Sequence, residues 1–569
     1  MLRNLPVNNS LRSRRRAGEA GGSATRLPHR NESGPQTVVP TRTLSAMDAA
    51  FLYLERKELP LAIACLTIFD GPIPFEEFMA QVASRLRWVP RYRQIVVAPP
   101  LNMDLPTWEE DKHFDIRRHV FRVVLDPPGG EKQLEALIAR IFSQLLDRKK
   151  PLWEIYVVDG LKDGRNAVIW RLHHALADGV SANRLLEVFL DTTPDGSASF
   201  QPPLPRRPAV SDPAKASGIA SVLRTTLDSL IATERGLLGF TQALLGDSTK
   251  DGSKSLVSLL PEFMASVERL PFNKPCREGR KFCWAEFDMA EVKAIREVAG
   301  ARVNDVILAM LTLALARYVK LHKESIVNRL VRVLCPVNLR KPGEEESMGN
   351  QISFMPVALP LDVRDPIEML RAVAVRTEAM KNSGAAALVG LMAFSIAKMP
   401  PPLQSVFWWW LGNLILPVPL FNTICTNMPG PPQTLYALGR RMIATYPQVP
   451  TGYELGINLA IESYDGKLFF GLIADAHAAP DVDRLRDFLY VAFEELRQGA
   501  RKARGITESS QPKKNRVRRA GAAERKPSAR RPPGKSVKTI AGALEPEAAG
   551  ALAEPAAPLA PASAHAPVT

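Results

Sequence analysis

Two segments in opposite halves of the chain follow one pattern, and that pattern limits the fold more than any other feature. In the first, Trp153–Val158 reads as a strand, Asp163-Gly164 as a turn signal and Ala167–Leu172 as a second strand. A polar loop, His173-His174-Ala175-Leu176-Ala177-Asp178-Gly179, then leads into a helix over Ser181–Leu190. In the second, Gly456–Ser463 is a strand, Asp465-Gly466 the turn and Leu468–Ala474 a strand. Asp475-Ala476-His477-Ala478-Ala479-Pro480-Asp481 then leads into a helix over Val482–Leu496. Hairpin, polar loop and helix, written twice, are what a duplicated α/β domain leaves behind. The second copy keeps one histidine and loses the pair, so chemistry that needs the pair sits with the first.

The remaining chain can be arranged around these two units. Order is expected to begin near Leu44-Ser45-Ala46-Met47-Asp48, where Ser or Asp ahead of an apolar helix supplies a cap. Pro202, Pro203, Pro205, Pro208 and Pro213 mark a linker, followed by amphipathic helical segments at 219–245 and 256–270. The expected organisation is a basic disordered tail over 1–40 and an N-terminal domain over 41–200. A Pro-rich linker and helical crossover occupy 201–275, a C-terminal domain 276–500, and a basic, then Ala/Pro-rich, disordered tail 501–569.

The net charge of +15 invites a nucleic-acid reading until it is located. Residues 1–30 carry +6, 501–540 carry +12 and 541–569 carry −3, which leaves 31–500 neutral. The body therefore offers no net attraction for nucleic acid, and no specific nucleic-acid partner is expected. The tails, with Arg14-Arg15-Arg16 and Lys513-Lys514, read as solubilising segments or as attraction to anionic lipid headgroups. Cys65, Cys276, Cys283, Cys335 and Cys425 are odd in number and show neither redox nor metal spacing, which favours a reducing compartment. No stretch reads as a clean membrane span. Val406 to Phe421, with Trp408-Trp409-Trp410, is too short and is broken by Pro417 and Pro419. Two readings of it stay open: a membrane-interface helix and a buried core helix.

The loop 173–179 carries the candidate chemistry. If the strand continues, His173 and His174 point to opposite faces, so one can face a cavity while the other packs inward. A neutral imidazole suits removal of a hydroxyl proton. Asp178 can pair with an Arg or brace the loop, and Gly179 permits a tight turn. No clustered third ligand supports a metal, and no Gly-x-Ser-x-Gly elbow supports a serine nucleophile.

The string HHALADG matches the HHxxxDG motif of the coenzyme A-dependent acyltransferase superfamily. Around it stand Pro151-Leu152-Trp153-Glu154, Asn304-Asp305-Val306-Ile307-Leu308-Ala309, Pro336-Val337-Asn338-Leu339-Arg340 with Gly349-Asn350, and Thr426-Asn427-Met428-Pro429-Gly430-Pro431. In that order they resemble the bacterial wax ester synthase/diacylglycerol acyltransferase family, from about Leu44 to Leu496. Asn338 and Met428 depart from the more usual Ser and Val.

The resemblance implies an α/β fold: two similar chloramphenicol acetyltransferase-like domains, with an active-site tunnel between them and a helical crossover joining them. It implies His174 as general base, His173 and Asp178 as supporting residues, and Gly179 for loop geometry. It implies acyl-coenzyme A as a substrate, no cofactor, and diacylglycerol or a fatty alcohol as acceptor. Asn304 and Asp305 are expected to cap a helix and shape the channel, or to touch substrate; Asn427 is expected to fix its loop or touch substrate. Such substrates imply a cytoplasmic enzyme in peripheral contact with the inner face of the membrane or with lipid droplets. The competing classes are the same fold acylating another hydroxyl or amine, and a non-catalytic lipid-droplet-associated protein.

Overall fold

The computed structural model describes residues 43–177, 179–197, 267–338, 352–382, 396–397, 399–413 and 419–505. In the N-terminal half the elements are α1 (Ala46–Leu54), β1 (Ala62–Phe69), α2 (Phe75–Arg85), β2 (Gln94–Val97), β3 (Thr107–Glu110) and β4 (Val120–Val124). α3 (Glu131–Phe142), β5 (Trp153–Asp159), β6 (Asn166–His173) and α4 (Gly179–Phe189) follow. The other half contributes β7 (Arg280–Asp288), α5 (Met289–Val298), α6 (Val303–Leu321), β8 (Leu330–Asn338), β9 (Ile352–Pro360), α7 (Pro366–Asn382) and α8 (Pro401–Asn413). It ends with β10 (Thr423–Pro429), β11 (Tyr436–Ala437), β12 (Arg440–Gln448), β13 (Ile457–Tyr464), β14 (Lys467–Asp475) and α9 (Val482–Ala503). The first helix starts where its cap predicts: Ser45 Oγ accepts the Asp48 N–H at 3.0 Å. In the second hairpin Asp465 and Gly466 both adopt positive φ, 45° and 77°, as a two-residue turn between twisted strands requires.

Two six-stranded sheets result, ordered β11-β12-β1-β6-β5-β4 and β7-β14-β13-β10-β8-β9. The same four-strand unit lies inside each. β6 runs antiparallel between β1 and β5, and β4 is parallel to β5. β14 runs antiparallel between β7 and β13, and β10 is parallel to β13. The duplication visible in one hairpin thus extends to four strands on each side.

Parallel neighbours need a crossover between them. From β4 to β5 the crossover contains α3. From β10 to β13 the chain instead crosses to the other sheet, forms β11 and β12, and returns. β12 pairs antiparallel with β1, Thr445 opposite Thr67. This corrects the expectation that 276–500 builds only its own domain, because Tyr436–Gln448 completes the N-terminal sheet. The physical reason is the exposed edge of β1, whose free N–H and C=O groups need a partner strand. Nothing local in Arg440–Gln448 says which sheet edge it will fill. The expected crossover helices at 219–245 and 256–270 lie outside the described residues, apart from 267–270, which are not helical.

The two halves meet at close range. A Cβ on Gly471 in β14 would lie 1.8 Å from the Pro447 carbonyl oxygen of β12, so only glycine fits there. Trp284 of β7 and Tyr446 of β12 pack with ring centroids 5.4 Å apart. α6 is apolar on all sides and buried from Asp305 through Ala316, as a central core helix should be. Among the described residues no single helix is long and apolar enough to cross a membrane.

One buried carboxyl at the seam leads to a prediction. Glu462 of β13 is fully buried and accepts a 2.7 Å hydrogen bond from Thr445 Oγ1 of β12. Burial pushes its pKa from the ordinary 4.5 up to about 7, and the Thr445 bond offsets only part of that. Between those values the folded protein holds a proton that the unfolded chain has lost, so stability falls as pH rises through that window. Glu462→Gln is expected to flatten this decline and to melt higher than wild type at pH above about 7, in thermal scans across that range.

Candidate active site

At the end of β6 the last strand residue and the one after it bond to different neighbours. The His173 N–H donates to Leu152 O at 2.9 Å, and the His174 N–H donates to Leu61 O at 2.8 Å. The side chains therefore face opposite ways. His173 is fully buried, whereas His174 is half-buried.

His173 builds the turn that follows. Its Nδ1 accepts the Ala175 N–H at 3.0 Å, and its carbonyl accepts the Leu176 N–H at 2.9 Å. With Nδ1 accepting, this hydrogen-bond pattern assigns the ring proton to Nε2. Nε2 lies 3.3 Å from Glu55 Oε1, an electrostatic contact rather than a well-aligned hydrogen bond. Glu55 caps the end of α1 and is itself buried, its side chain 1% exposed. Its Oε1 accepts the Leu61 N–H at 3.1 Å, and its Oε2 accepts from Arg148 Nη2 at 3.0 Å. Burial raises the carboxyl's pKa, but the neighbouring His173 imidazole and Arg148 guanidinium outweigh it and bring the group down to about 2.

His174 is backed by the same helix. The Phe51 ring stacks on its imidazole with centroids 4.1 Å apart and planes 16° apart. Phe51 and Glu55 stand four residues apart on one face, so α1 reaches both histidines. Neither residue, nor Arg148, was singled out from sequence. A capped helix with Phe and Glu at that spacing is visible there, but nothing local connects it to a loop more than a hundred residues on.

The other candidate residues fall in different settings. Asp178 lies outside the described residues, and Gly179 opens α4. Asp305 is 4% exposed, and both its oxygens are engaged: Oδ2 accepts the Arg302 N–H at 2.8 Å and Oδ1 accepts from Thr377 Oγ1 at 2.7 Å. Asp305 therefore caps α6 and ties it to α7. Asn304 is half-buried in the first turn of α6. Asn427 is exposed on β10, the strand against which α4 lies. Trp153 is a core residue, donating its Nε1–H to Tyr92 O at 2.7 Å and stacking on His119 at 4.5 Å. His477 is exposed.

In the second copy Asp475 takes the place of His173 at the strand end. Its Oδ1 accepts the N–H groups of His477 and Ala478 at 2.9 and 2.8 Å, and Arg280 Nη1 sits 3.2 Å from Oδ2. The turn is kept and the histidine pair is not, since Ala476 stands where His174 does.

Comparison with known proteins follows the same line. A probable diacylglycerol O-acyltransferase of Mycobacterium tuberculosis is 30% identical over 458 residues, covering 78% of this chain and 93% of that one. A second from that organism is 29% identical over 463 residues, covering 79% and 98%. Residues 44–307 match the family model "Wax ester synthase/diacylglycerol acyltransferase catalytic domain", and 348–497 match "WS/DGAT C-terminal domain". The chain belongs to the wax ester synthase/diacylglycerol acyltransferase family. His173 and His174 lie in the segment that matches the catalytic domain, and that segment runs on through β7 and α5 into α6. The wax ester synthase/diacylglycerol acyltransferase of Marinobacter aquaeolei shares the fold with a TM-score of 0.56 and 24% identity, covering 81% of this chain and 99% of that one. A starter condensation domain of rhizomide synthetase, solved in complex with C8-CoA, shares it with a TM-score of 0.50 at 14% identity, covering 80% and 95%. The expected two-domain acyltransferase-like α/β fold is therefore the observed one.

Proposed function

We propose that this family member transfers a fatty acyl group from acyl-coenzyme A to diacylglycerol or to a long-chain fatty alcohol, with His174 as general base. What carries the reading is the unequal placing of the two histidines at the end of β6. His173 is walled in and committed to the turn, while His174 is only half-buried, its ring backed by Phe51.

A neutral alcohol is a weak nucleophile. His174 takes its proton as the alcohol oxygen attacks the thioester carbonyl carbon, giving a tetrahedral oxyanion. The oxyanion collapses, the carbon–sulfur bond breaks, and the proton returns to the leaving thiolate. The products are the ester and free coenzyme A, with no acyl-enzyme and no cofactor. In this reading the two substrates meet at His174 from opposite sides of a passage between the halves, which Asn304 and Asn427 shape. The experiment is a purified-enzyme assay with labelled palmitoyl-coenzyme A and, in parallel, hexadecanol, diacylglycerol or no acceptor. Labelled wax ester or triacylglycerol supports the reading. Thioester cleavage without either ester overturns it.

Both acceptors are nearly insoluble, so the enzyme meets them at the inner membrane face or at lipid droplets. The support is α8, whose Trp409 is 63% exposed, with Trp410, Val406 and Leu403 also exposed. It packs on α1 and beside the turn at Pro100–Asn102, where Leu101 is 88% exposed. Trp and Leu displayed together on one surface fit the headgroup boundary. Removing residues 1–35 and 505–569 is expected to leave turnover of soluble short-chain substrates intact, measured by coenzyme A release. Loss of that turnover in a folded truncation would make the tails part of the active unit.

A further inference from the structure

We infer that Glu55 is a positioning residue for acyl transfer: it sets which nitrogen of His173 carries the proton, and through the turn that His173 braces it aims His174. The inference rests on the reading of His174 as the base.

A neutral imidazole donates from one nitrogen and accepts at the other. The turn after β6 needs an acceptor, since the Ala175 N–H points at His173 Nδ1 from 3.0 Å. The ring proton is thereby driven to Nε2, deep in the protein, where a donor without an acceptor is costly. Glu55 Oε1 supplies the negative charge there at 3.3 Å. Its charge is already balanced by Arg148, and Leu61 N–H fixes its orientation, which leaves Nδ1 of His173 to accept from the turn. Without the carboxylate only the Ala175 N–H holds the proton on Nε2, against the cost of a buried donor with no anion beside it. Were it to move to Nδ1, two N–H groups would face each other across the turn and His174 would lose its aim.

The second half of the fold provides an internal control. There the strand-end acceptor is the carboxylate of Asp475, which has no proton to place, and the buried residue behind it is a cation, Arg280. Where the acceptor is an imidazole, the residue behind it is an anion. The charge behind each turn matches what its acceptor needs, which a residue present only for packing would not do. Phe51, on the same face of α1, makes the matching contact to His174.

The test is Glu55→Gln, which keeps the shape and removes the charge. Turnover of palmitoyl-coenzyme A with hexadecanol is expected to fall roughly ten- to a hundred-fold, the loss seen when metal-ligating histidines lose the carboxylate that orients them. KM for the thioester is expected to stay near wild type. Imidazole nitrogen NMR is expected to show His173 leaving the single Nε2–H form, and Glu55→Asp is expected to recover part of the rate. Wild-type turnover in Glu55→Gln overturns the inference, and so does a loss of rate with the His173 tautomer unaltered. Should Glu55→Gln fail to fold, the same readings on Glu55→Asp decide it, wild-type turnover with a mixed tautomer being the adverse outcome. His174→Ala, assayed alongside, separates the two ideas. If it keeps its turnover the general-base reading fails, and if it is dead while Glu55→Gln is wild type only this inference fails.

Discussion

In His174→Ala, acyl transfer to hexadecanol or diacylglycerol is expected to fall by about 10²–10⁴, the usual worth of a positioned base, while circular dichroism and melting remain those of wild type. The fold should tolerate the change because His174 is half-buried and its backbone N–H bond to Leu61 does not depend on its side chain. His173→Ala should behave differently. It leaves the Ala175 N–H without its acceptor and the Glu55 carboxylate without its imidazole, both in the interior. Its main cost should be stability, read as a lower melting temperature, with activity lost alongside folding yield. A dead His173→Ala beside a fully active His174→Ala would reverse the assignment. The chemistry therefore separates the two histidines by which measurement each one moves.

The largest effect on stability is expected from Arg280→Ala. The side chains of Arg280 and Asp475 are 2% and 0% exposed, with 3.2 Å between Nη1 and Oδ2. Arg280 Nη2 also donates to the carbonyls of Glu58 at 2.7 Å and Thr451 at 3.1 Å, so one guanidinium ties β7 to the segment between α1 and β1. Removing it strands a buried carboxylate and leaves four carbonyls, those of Arg277, Gly279, Glu58 and Thr451, short of a donor. Breaking such a pair costs about 3–5 kcal/mol. The result is measurable as a shift of the denaturant midpoint, and a variant within experimental error of wild type would mean that water reaches Asp475. Because Glu58 lies on the segment that leads from Glu55 to β1, activity should fall with stability in this variant.

Much of the site can be read from the chain without coordinates. The HHALADG string, its place after an apolar strand and the expectation that its two histidines face apart all rest on local geometry. Strand alternation is a property of consecutive residues, and it sets the two histidines on opposite faces whatever the strand pairs with; which of them is inward is decided by what packs on β6. The second hairpin is legible for the same reason, since Asp465-Gly466 signals its own turn. Glu55 is different. Its neighbours in sequence mark it only as the end of a helix, and a solvated glutamate at a helix end would read identically. Its meaning comes from α1 lying against the end of β6, a contact between distant segments. Asp305 shows the converse: its motif invites a substrate role, and its two hydrogen bonds, one to its own helix start and one to α7, occupy both oxygens.

The sequence by itself determined the class of fold, its internal duplication, the neutrality of the body between charged tails, and the loop that carries the histidines. Each of these is written in composition or in short-range periodicity, which acts before any long-range contact forms. The tertiary structure alone decided that Tyr436–Gln448 completes the other half's sheet, that α8 shows Trp409 and Trp410 on the surface, and that Phe51 and Glu55 stand behind the two histidines. Those outcomes depend on which strand edge is left unpaired and which helix face is left uncovered once the chain has collapsed. That competition is settled by the free energy of the whole assembly, and no window of neighbouring residues contains it.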